Sequence, residues 1–339
     1  MTPDIPVALP VGKVPPELLT RLVYPHLGHR TDILVRAHVG EDCAVLDYGE
    51  TVCVLTSDPI TAAGHHLGRL AVHVGCNDLA TTGAEPVALL LTLLLKEGST
   101  AETLEALMTE AGQTAASLGV EIVGGHTEVT PAIDRTIAIV TAVGKARKGA
   151  VISGAGARPH DSVIVTKGAG IEGTAILASD LADRLESSLG KAALARAQAF
   201  IDRLSVIPEG RVGAQHGATA MHDVTEGGVV AGVWELAEAS GLGVVFRADD
   251  VPVLPETQAI CHTLDLDPLA LIGSGALLIC TPNPQTMLRA LNVAQIPAAE
   301  IGLITDKDRV ILRRGRAQPL IPPPRDEIYR ALSEAAEGD

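Results

Sequence analysis

Two hydrophobic periods alternate along the chain. Runs dense in Val, Ile and Leu at 33–36, 43–47, 51–56 and 87–95 have the length and composition of strands. Between them the apolar residues recur every three to four positions. Leu18, Leu19, Leu22, Val23 and His26 form one such stripe, with Pro15 or Pro16 suited to its first turn and Gly28 to its end, and predict a helix over 15–27. Leu67, Leu70, Ala71 and Val74 predict a second helix from about His66 to Thr82, ended by Gly83. A third opens at Ser99, with Glu102 at capping-box spacing, and runs along Leu104, Leu107, Met108, Ala111 and Ala115 to Gly119. Strands follow at 120–123, leading into the loop G-G-H-T-E-V-T, and at 136–144. The run T-V-C-V-L-T at 51–56 is too uniformly apolar to distinguish one buried face from two.

Residues 145–160 shift toward Gly, Ala and basic side chains, which predicts a boundary between a first domain over 1–150 and a second over 151–339. The second half reads as strands at 162–166, 243–247, 275–281, 300–305 and 309–313. Helices are expected near 173–186, 191–204, 226–240, 284–292 and 325–336, the last after the proline run Pro322–Pro324. Strands interleaved with helices predict an α/β protein, and 339 residues suffice for two cores. Only two Phe, three Tyr and one Trp are present, so those cores must be built from Ala, Val, Leu and Ile. A net charge of −15 and few aromatics argue against nucleic acid as a partner. Cys43, Cys53, Cys76, Cys261 and Cys280 are odd in number and contain no C-x-x-C, which argues against a disulfide framework and a zinc site and fits a reducing cytoplasm. No signal-peptide pattern is expected at the N-terminus, and the longest apolar run, Pro86–Leu95, is too short to span a bilayer.

Chemistry concentrates between Gly40 and Asp78. G-E-D-C-A-V-L-D, T-S-D-P-I and C-N-D-L-A place Asp42, Asp58 and Asp78 where apolar elements are expected to end, a rigid way to present oxygens to Mg²⁺. Singly, each acid reads equally as a cap or turn residue. Asn77 and Asp78 share the apolar stripe of their helix, and an acid there is costly without a compensating cation. Gly124 and Gly125 would let backbone approach a phosphate, with His126, Thr127 and Glu128 in reach, although Gly-Gly is also a common turn. Lys167 opens K-G-A-G-I-E-G-T, a G-x-G-x-x-G between a strand and a helix. No second strand with an acid follows at Rossmann spacing, so a tight loop facing an anion is expected instead. In D-V-T-E-G-G, Asp223 and Glu226 have capping-box spacing, while Thr225, Gly227 and Gly228 at a helix N-terminus would suit a substrate or anion.

In this order and at these separations, G-E-D-C-A-V-L, T-S-D-P-I, C-N-D-L-A-T-T-G-A-E-P, V-G-G-H-T-E-V and D-V-T-E-G-G-V resemble the aminoimidazole ribonucleotide (AIR) synthetase, or PurM-like, superfamily over nearly the whole chain. The branch of hydrogenase-maturation protein HypE and its AIR-synthase-related relatives is most similar. The resemblance implies a two-domain fold whose first domain forms a β-barrel across a homodimer and binds ATP with Mg²⁺. It implies metal and phosphate contacts from Asp42, Asp58 and Asp78 and nucleotide contacts from Gly40, Asn77, Gly124, Gly125 and Thr127; Asp58, Asp78 and His126 are the catalytic candidates of this sequence. Substrate contacts would come from Lys167, Thr225, Gly227 and Gly228. The chemistry implied is ATP-dependent phosphorylation of an amide- or carbamoyl-type oxygen on a small-molecule or protein-borne acceptor, with a maturation partner protein. A small-molecule kinase or synthetase resembling thiamine-monophosphate kinase is one alternative, and an ATP-binding scaffold without turnover another. The sequence departs from that pattern twice. His126 stands where relatives carry an acid, and no cysteine follows Cys280, so self-carried cyanation is not expected.

Overall fold

The computed structural model describes residues 9, 11–61 and 63–337. After a short helix α1 (Pro16–Leu22), the first half builds a sheet from β1 (Ile33–Val35), β2 (Ala44–Tyr48), β3 (Thr51–Ile60), β4 (Glu85–Lys96), β5 (Glu121–Thr130) and β6 (Ile137–Arg147), in the order β1-β2-β3-β6-β4-β5. Helices α2 (Leu67–Thr81) and α3 (Ala101–Leu118) connect the strands. Along β3 Val52, Val54, Thr56 and Ile60 are buried in alternation with more exposed neighbours, so the strand has one core face. It continues past Thr56 and pairs with β6 through Ile60↔Ala138. β2 pairs with it only as far as Leu55, which lets Pro59 sit in the strand on the side that needs no donor. Asp58 therefore lies inside a strand, opposite Val140, and Asp78 lies inside α2. The expectation that all three acids mark element ends holds only for Asp42, which precedes β2.

α3 begins one residue later than expected. Thr100 is its N-cap, accepting from the Thr103 N–H at 3.2 Å, while the Ser99 hydroxyl donates to Lys96 O. The stretch G-G-H-T-E, whose paired glycines suggested a turn, is continuous strand in β5, paired parallel to β4 with Leu91 opposite Gly125. A Cβ at Gly125 would stand 1.9 Å from Leu91 O, so this glycine is required by close strand approach at φ 143°. β5 is the sheet's edge, and Val123 and Val129 on it are 55% and 57% exposed.

The second half contains β7 (Ser162–Thr166), α4 (Ile171–Asp180), α5 (Ala182–Leu189), α6 (Lys191–Gln198), α7 (Ile207–Gln215), β8 (Ala220–Asp223), α8 (Gly228–Ala239) and β9 (Gly243–Arg247). α9 (Pro255–Thr263), β10 (Leu277–Thr281), α10 (Pro284–Val293), β11 (Ala298–Thr305), β12 (Arg309–Arg313), β13 (Arg316–Pro319) and α11 (Glu327–Glu337) complete it. Its strands form one sheet, β13-β12-β9-β11-β7-β10-β8. β7 is antiparallel to both β10 and β11, which removes the parallel βαβ unit that a Rossmann site requires.

α2 joins the halves, with thirteen of its fifteen residues buried. Gly75 lets it press against Val140 and Ala142 of β6, and Gly210 of α7 comes so close to Ala80 O that a Cβ there would stand 2.2 Å away. Asn77 closes the contact. Its side-chain amide donates to Leu204 O at 2.8 Å, and its carbonyl oxygen accepts from Val206 N–H at 2.9 Å.

Candidate functional site

Where the two sheets face each other across α2, a cavity of about 750 Å³ opens. Asp42, Asp58 and Asp78 all line it, and the second half adds Asp223 from the end of β8. Asp78, 7% exposed, accepts a hydrogen bond from Thr56 Oγ1 at 2.6 Å, and the same hydroxyl lies 3.2 Å from Asp58 Oδ2. The Cys43 thiol donates to Asp78 O at 3.2 Å, which fixes the helix backbone at this point against the start of β2. Burial pushes the Asp78 carboxyl well above the usual carboxylate range, and the charges of Asp223, Asp58 and Asp42 push it further. Burial, with Asp42 next, raises Asp223 to about 8, and its Oδ2 has no hydrogen-bond partner.

Behind these acids His222 is held on both ring nitrogens. Nδ1 is 2.8 Å from Asp42 Oδ1, and Nε2 is 3.0 Å from Glu235 Oε2. Burial opposes its charge, but Asp42 and Glu235 outweigh burial and hold the imidazole protonated. Asp42, His222 and Asp223 bring one ligand atom each within 4.8 Å of one another. An imidazolium has no lone pair to give, so we read His222 as the cation that anchors Asp42, with the carboxylates as the donor set. Carboxylate oxygens with no thiolate beside them, one of them orphaned and buried, fit Mg²⁺ better than a thiophilic metal. Among the described residues, Lys13 is the one lysine lining the cavity. It reaches Thr225 Oγ1 at 3.2 Å and Glu235 Oε1 at 3.6 Å.

Other residues expected at the site are elsewhere. Asn77 spends its amide on the backbone of residues 204 and 206 and does not line the cavity. Gly40 lies against α8, where a Cβ would meet Glu235 O at 2.5 Å, and borders a second cavity of about 430 Å³ with Tyr24 and Trp234. Lys167 is tied to Glu209 at 2.8 Å and to the carbonyls of Arg203 and Ser205, so its charge is spent and it does not line the cavity. Thr225 does line it. The N-terminus of α8 is taken, because Gly227 N–H donates to Asp326 Oδ2 at 2.6 Å, and Gly228 packs on Leu269 O. No capping box forms from Asp223 and Glu226, since Gly227 is the N-cap.

Gly124, Gly125, His126 and Thr127 are exposed on β5, with His126 Nε2 3.1 Å from Glu128 Oε2. They are apart from the acids within one chain. Asp58 pairs with Val140, Val140 with Leu91 and Leu91 with Gly125, so one cross-sheet row separates them by three strand spacings, about 14 Å. Sequence reasoning missed Asp223 as a donor, and it missed His222 and Glu235 altogether. The signal available was A-M-H-D, a strand whose polar residues are as buried as its apolar ones.

Residues 40–146 match the AIR synthase related protein N-terminal domain, and residues 158–315 match the C-terminal domain of the same family. A putative hydrogenase expression/formation protein of Methanocaldococcus jannaschii is 32% identical over 277 residues, 79% of each chain. Carbamoyl dehydratase HypE of Rhodobacter capsulatus is 31% identical over 256 residues, 74% of this chain and 72% of that one. Among solved structures, hydrogenase maturation protein HypE in complex with ATP superposes with a TM-score of 0.65 at 25% identity, covering 95% of this chain and 98% of the other. Among the described residues, no helix is long and apolar enough to cross a membrane.

Proposed function

The chain belongs to the AIR synthase related protein family and has its PurM-like two-domain fold, and from that premise we propose that it is a Mg²⁺- and ATP-dependent enzyme that phosphorylates an amide- or carbamoyl-type oxygen. The observation that carries this reading is the convergence of Asp42, Asp58, Asp78 and Asp223 from both halves on one cavity, with Asp223 Oδ2 unpartnered. Asp42 and Asp223 would hold the cation, with Asp58 and Asp78 lining the same cavity. Bound there, Mg²⁺ would neutralise and align the polyphosphate. Thr56 orients Asp78, and the imidazolium of His222 holds Asp42 in place. Asp78 and Asp223, held protonated by burial, would have to give up protons when a cation binds.

Carbamoyl dehydratase HypE among the relatives supports an acceptor bearing a carbamoyl group. None of this chain's cysteines is placed to carry it: all five are free, four are buried, and Cys280 lies within the second sheet. The acceptor then arrives as a small molecule or on a partner protein. The adjoining cavity beside Tyr24 and Trp234, wide enough for a small aromatic, supports a second reading as a small-molecule kinase.

We also propose a homodimer in which β5 meets its copy. β4 and β6 bury Leu91, Leu93, Val140 and Ala142 on one face, yet carry Leu90, Ile139 and Val143 on the other, and Leu90 is 42% exposed. A second copy there would bring Gly124–Thr127 toward a neighbouring acid cluster. Mg²⁺-dependent release of ADP, stimulated by a carbamoyl compound and accompanied by free phosphate, is the expected result. A phosphorylated acceptor would favour the kinase reading, and Mg-ATP binding without ADP release would refute turnover. Light scattering should return twice the chain mass, and a monomer would overturn the shared barrel.

A further inference from the structure

Beyond the four acids, the same cavity is lined by Glu172, Thr225, Glu226, Ile272, Ser274 and Tyr329. Most polar groups here are already occupied. The Tyr329 hydroxyl donates to Glu226, Thr225 accepts from Lys13, and Asp326 behind them accepts from the N–H groups of Gly227 and Ile328. Glu172 differs. It is 4% exposed, Ser274 faces it with hydroxyl and backbone N–H, and its Oε2 has no partner. Burial raises this carboxyl to about 7, opposed by Ser274 and reinforced by Asp326 and Glu226.

The glycines around Glu172 explain how it comes to be there. A Cβ on Gly173 would stand 2.5 Å from Leu271, and one on Gly170 would stand 3.2 Å from it, so the first turn of α4 is pressed onto the segment leading to Ser274. The G-A-G-I-E-G stretch thus delivers a carboxyl to the cavity instead of cradling a phosphate. A buried carboxyl oxygen without a partner is destabilising, and no protein donor among the described residues satisfies it. Among the described residues no arginine lines the cavity, and its lysine is engaged by Thr225 and Glu235. This end of the cavity suits a donor of N–H bonds and repels an anion.

Resting on the donor site assigned above, we propose that Glu172, backed by Ser274, is the acceptor-recognition residue of this protein. It accepts from the NH₂ face of an amide, carbamoyl or amidinium group and thereby selects against carboxylate and phosphate acceptors.

The test uses the full chain and acetamidinium chloride as probe, with tetramethylammonium chloride and sodium acetate at matched ionic strength as controls. Melting temperatures are titrated with and without Mg²⁺ and the β,γ-methylene analogue of ATP. Acetamidinium should raise the melting temperature saturably and the controls should not. Its apparent Kd should weaken about tenfold or more in Glu172→Gln, the loss of one hydrogen bond to a charged group, and less in Ser274→Ala. No saturable rise in the wild type, an equal rise with tetramethylammonium, or an unchanged Kd in Glu172→Gln would overturn the assignment. Loss of Mg-analogue binding with the acetamidinium response intact would instead strike the donor site and leave Glu172 standing.

Discussion

Replacing Asp78 with Asn separates the cost of the acid cluster from its use. Asn keeps the volume and an oxygen for the Thr56 hydroxyl, so what disappears is a carboxyl that the metal-free fold must protonate beside Asp223, Asp58 and Asp42. Removing the cost of that proton uptake is worth about 1–4 kcal/mol in the absence of a cation. A chain of 339 residues unfolds with an entropy near 0.7 kcal/mol per degree, so the metal-free variant should melt about 1–6 °C above the wild type. With Mg-ATP at 100 times its Kd, the wild type gains about 2.7 kcal/mol, or roughly 4 °C. Loss of one carboxylate beside the cation should weaken binding about 100-fold, and at the same concentration the variant then gains about 0.4 kcal/mol, less than 1 °C. The order of melting temperatures narrows or reverses when Mg-ATP is added. Differential scanning fluorimetry with and without EDTA reads this directly. Equal Mg-ATP shifts in both proteins, or a metal-free variant that melts below the wild type, would refute the reasoning.

The Glu172 carboxyl is raised in the fold from 4.5 to about 7, so the native state binds more protons than the unfolded chain across that interval, and this group's contribution falls as pH rises. Glu172→Gln should match the wild type near pH 4.5 and exceed it by about 3 kcal/mol by pH 8 in metal-free urea titrations, and a flat difference would contradict the burial argument. Asp223, raised to about 8, adds to the same downward slope in the wild type, and saturating Mg²⁺ should flatten it. Asn77→Ala removes two buried hydrogen bonds and leaves Leu204 O and Val206 N–H unpaired, which should cost about 2–5 kcal/mol. Unchanged urea midpoints would show that the halves are held together elsewhere.

The long periodic elements were legible because their burial follows a simple rule. α2 was readable to within a residue from Leu67, Leu70, Ala71 and Val74, and β4 from its leucines. The three first-half acids were legible because each stands out against apolar neighbours, and all three reach the cavity. Elements whose burial follows no periodic pattern were not. β8 buries Ala, Met, His and Asp alike, and α9 buries only Thr257, Ile260 and Cys261 of nine residues, so neither produces a stripe. Glycine motifs misled for a related reason. Gly125, Gly170 and Gly173 answer to strand and helix packing, and the contacts that demand them come from residues far away in sequence. Asn77 shared the stripe of Asp78, but nothing local shows that one side chain would meet the backbone of residues 204 and 206 while the other would meet a cavity.

That adjacency of Asn77 and Asp78 has a consequence for how the molecule comes apart. A helix buried against both sheets, bolted to the second half by a side-chain amide, leaves neither half able to unfold without exposing the other's core. The two halves should then melt as a single cooperative unit, and a cation bound beside Asp78 as proposed would protect amides in α7 and β8 from exchange as much as those in β3. Occupancy of the site is written into the opening free energy of the whole chain.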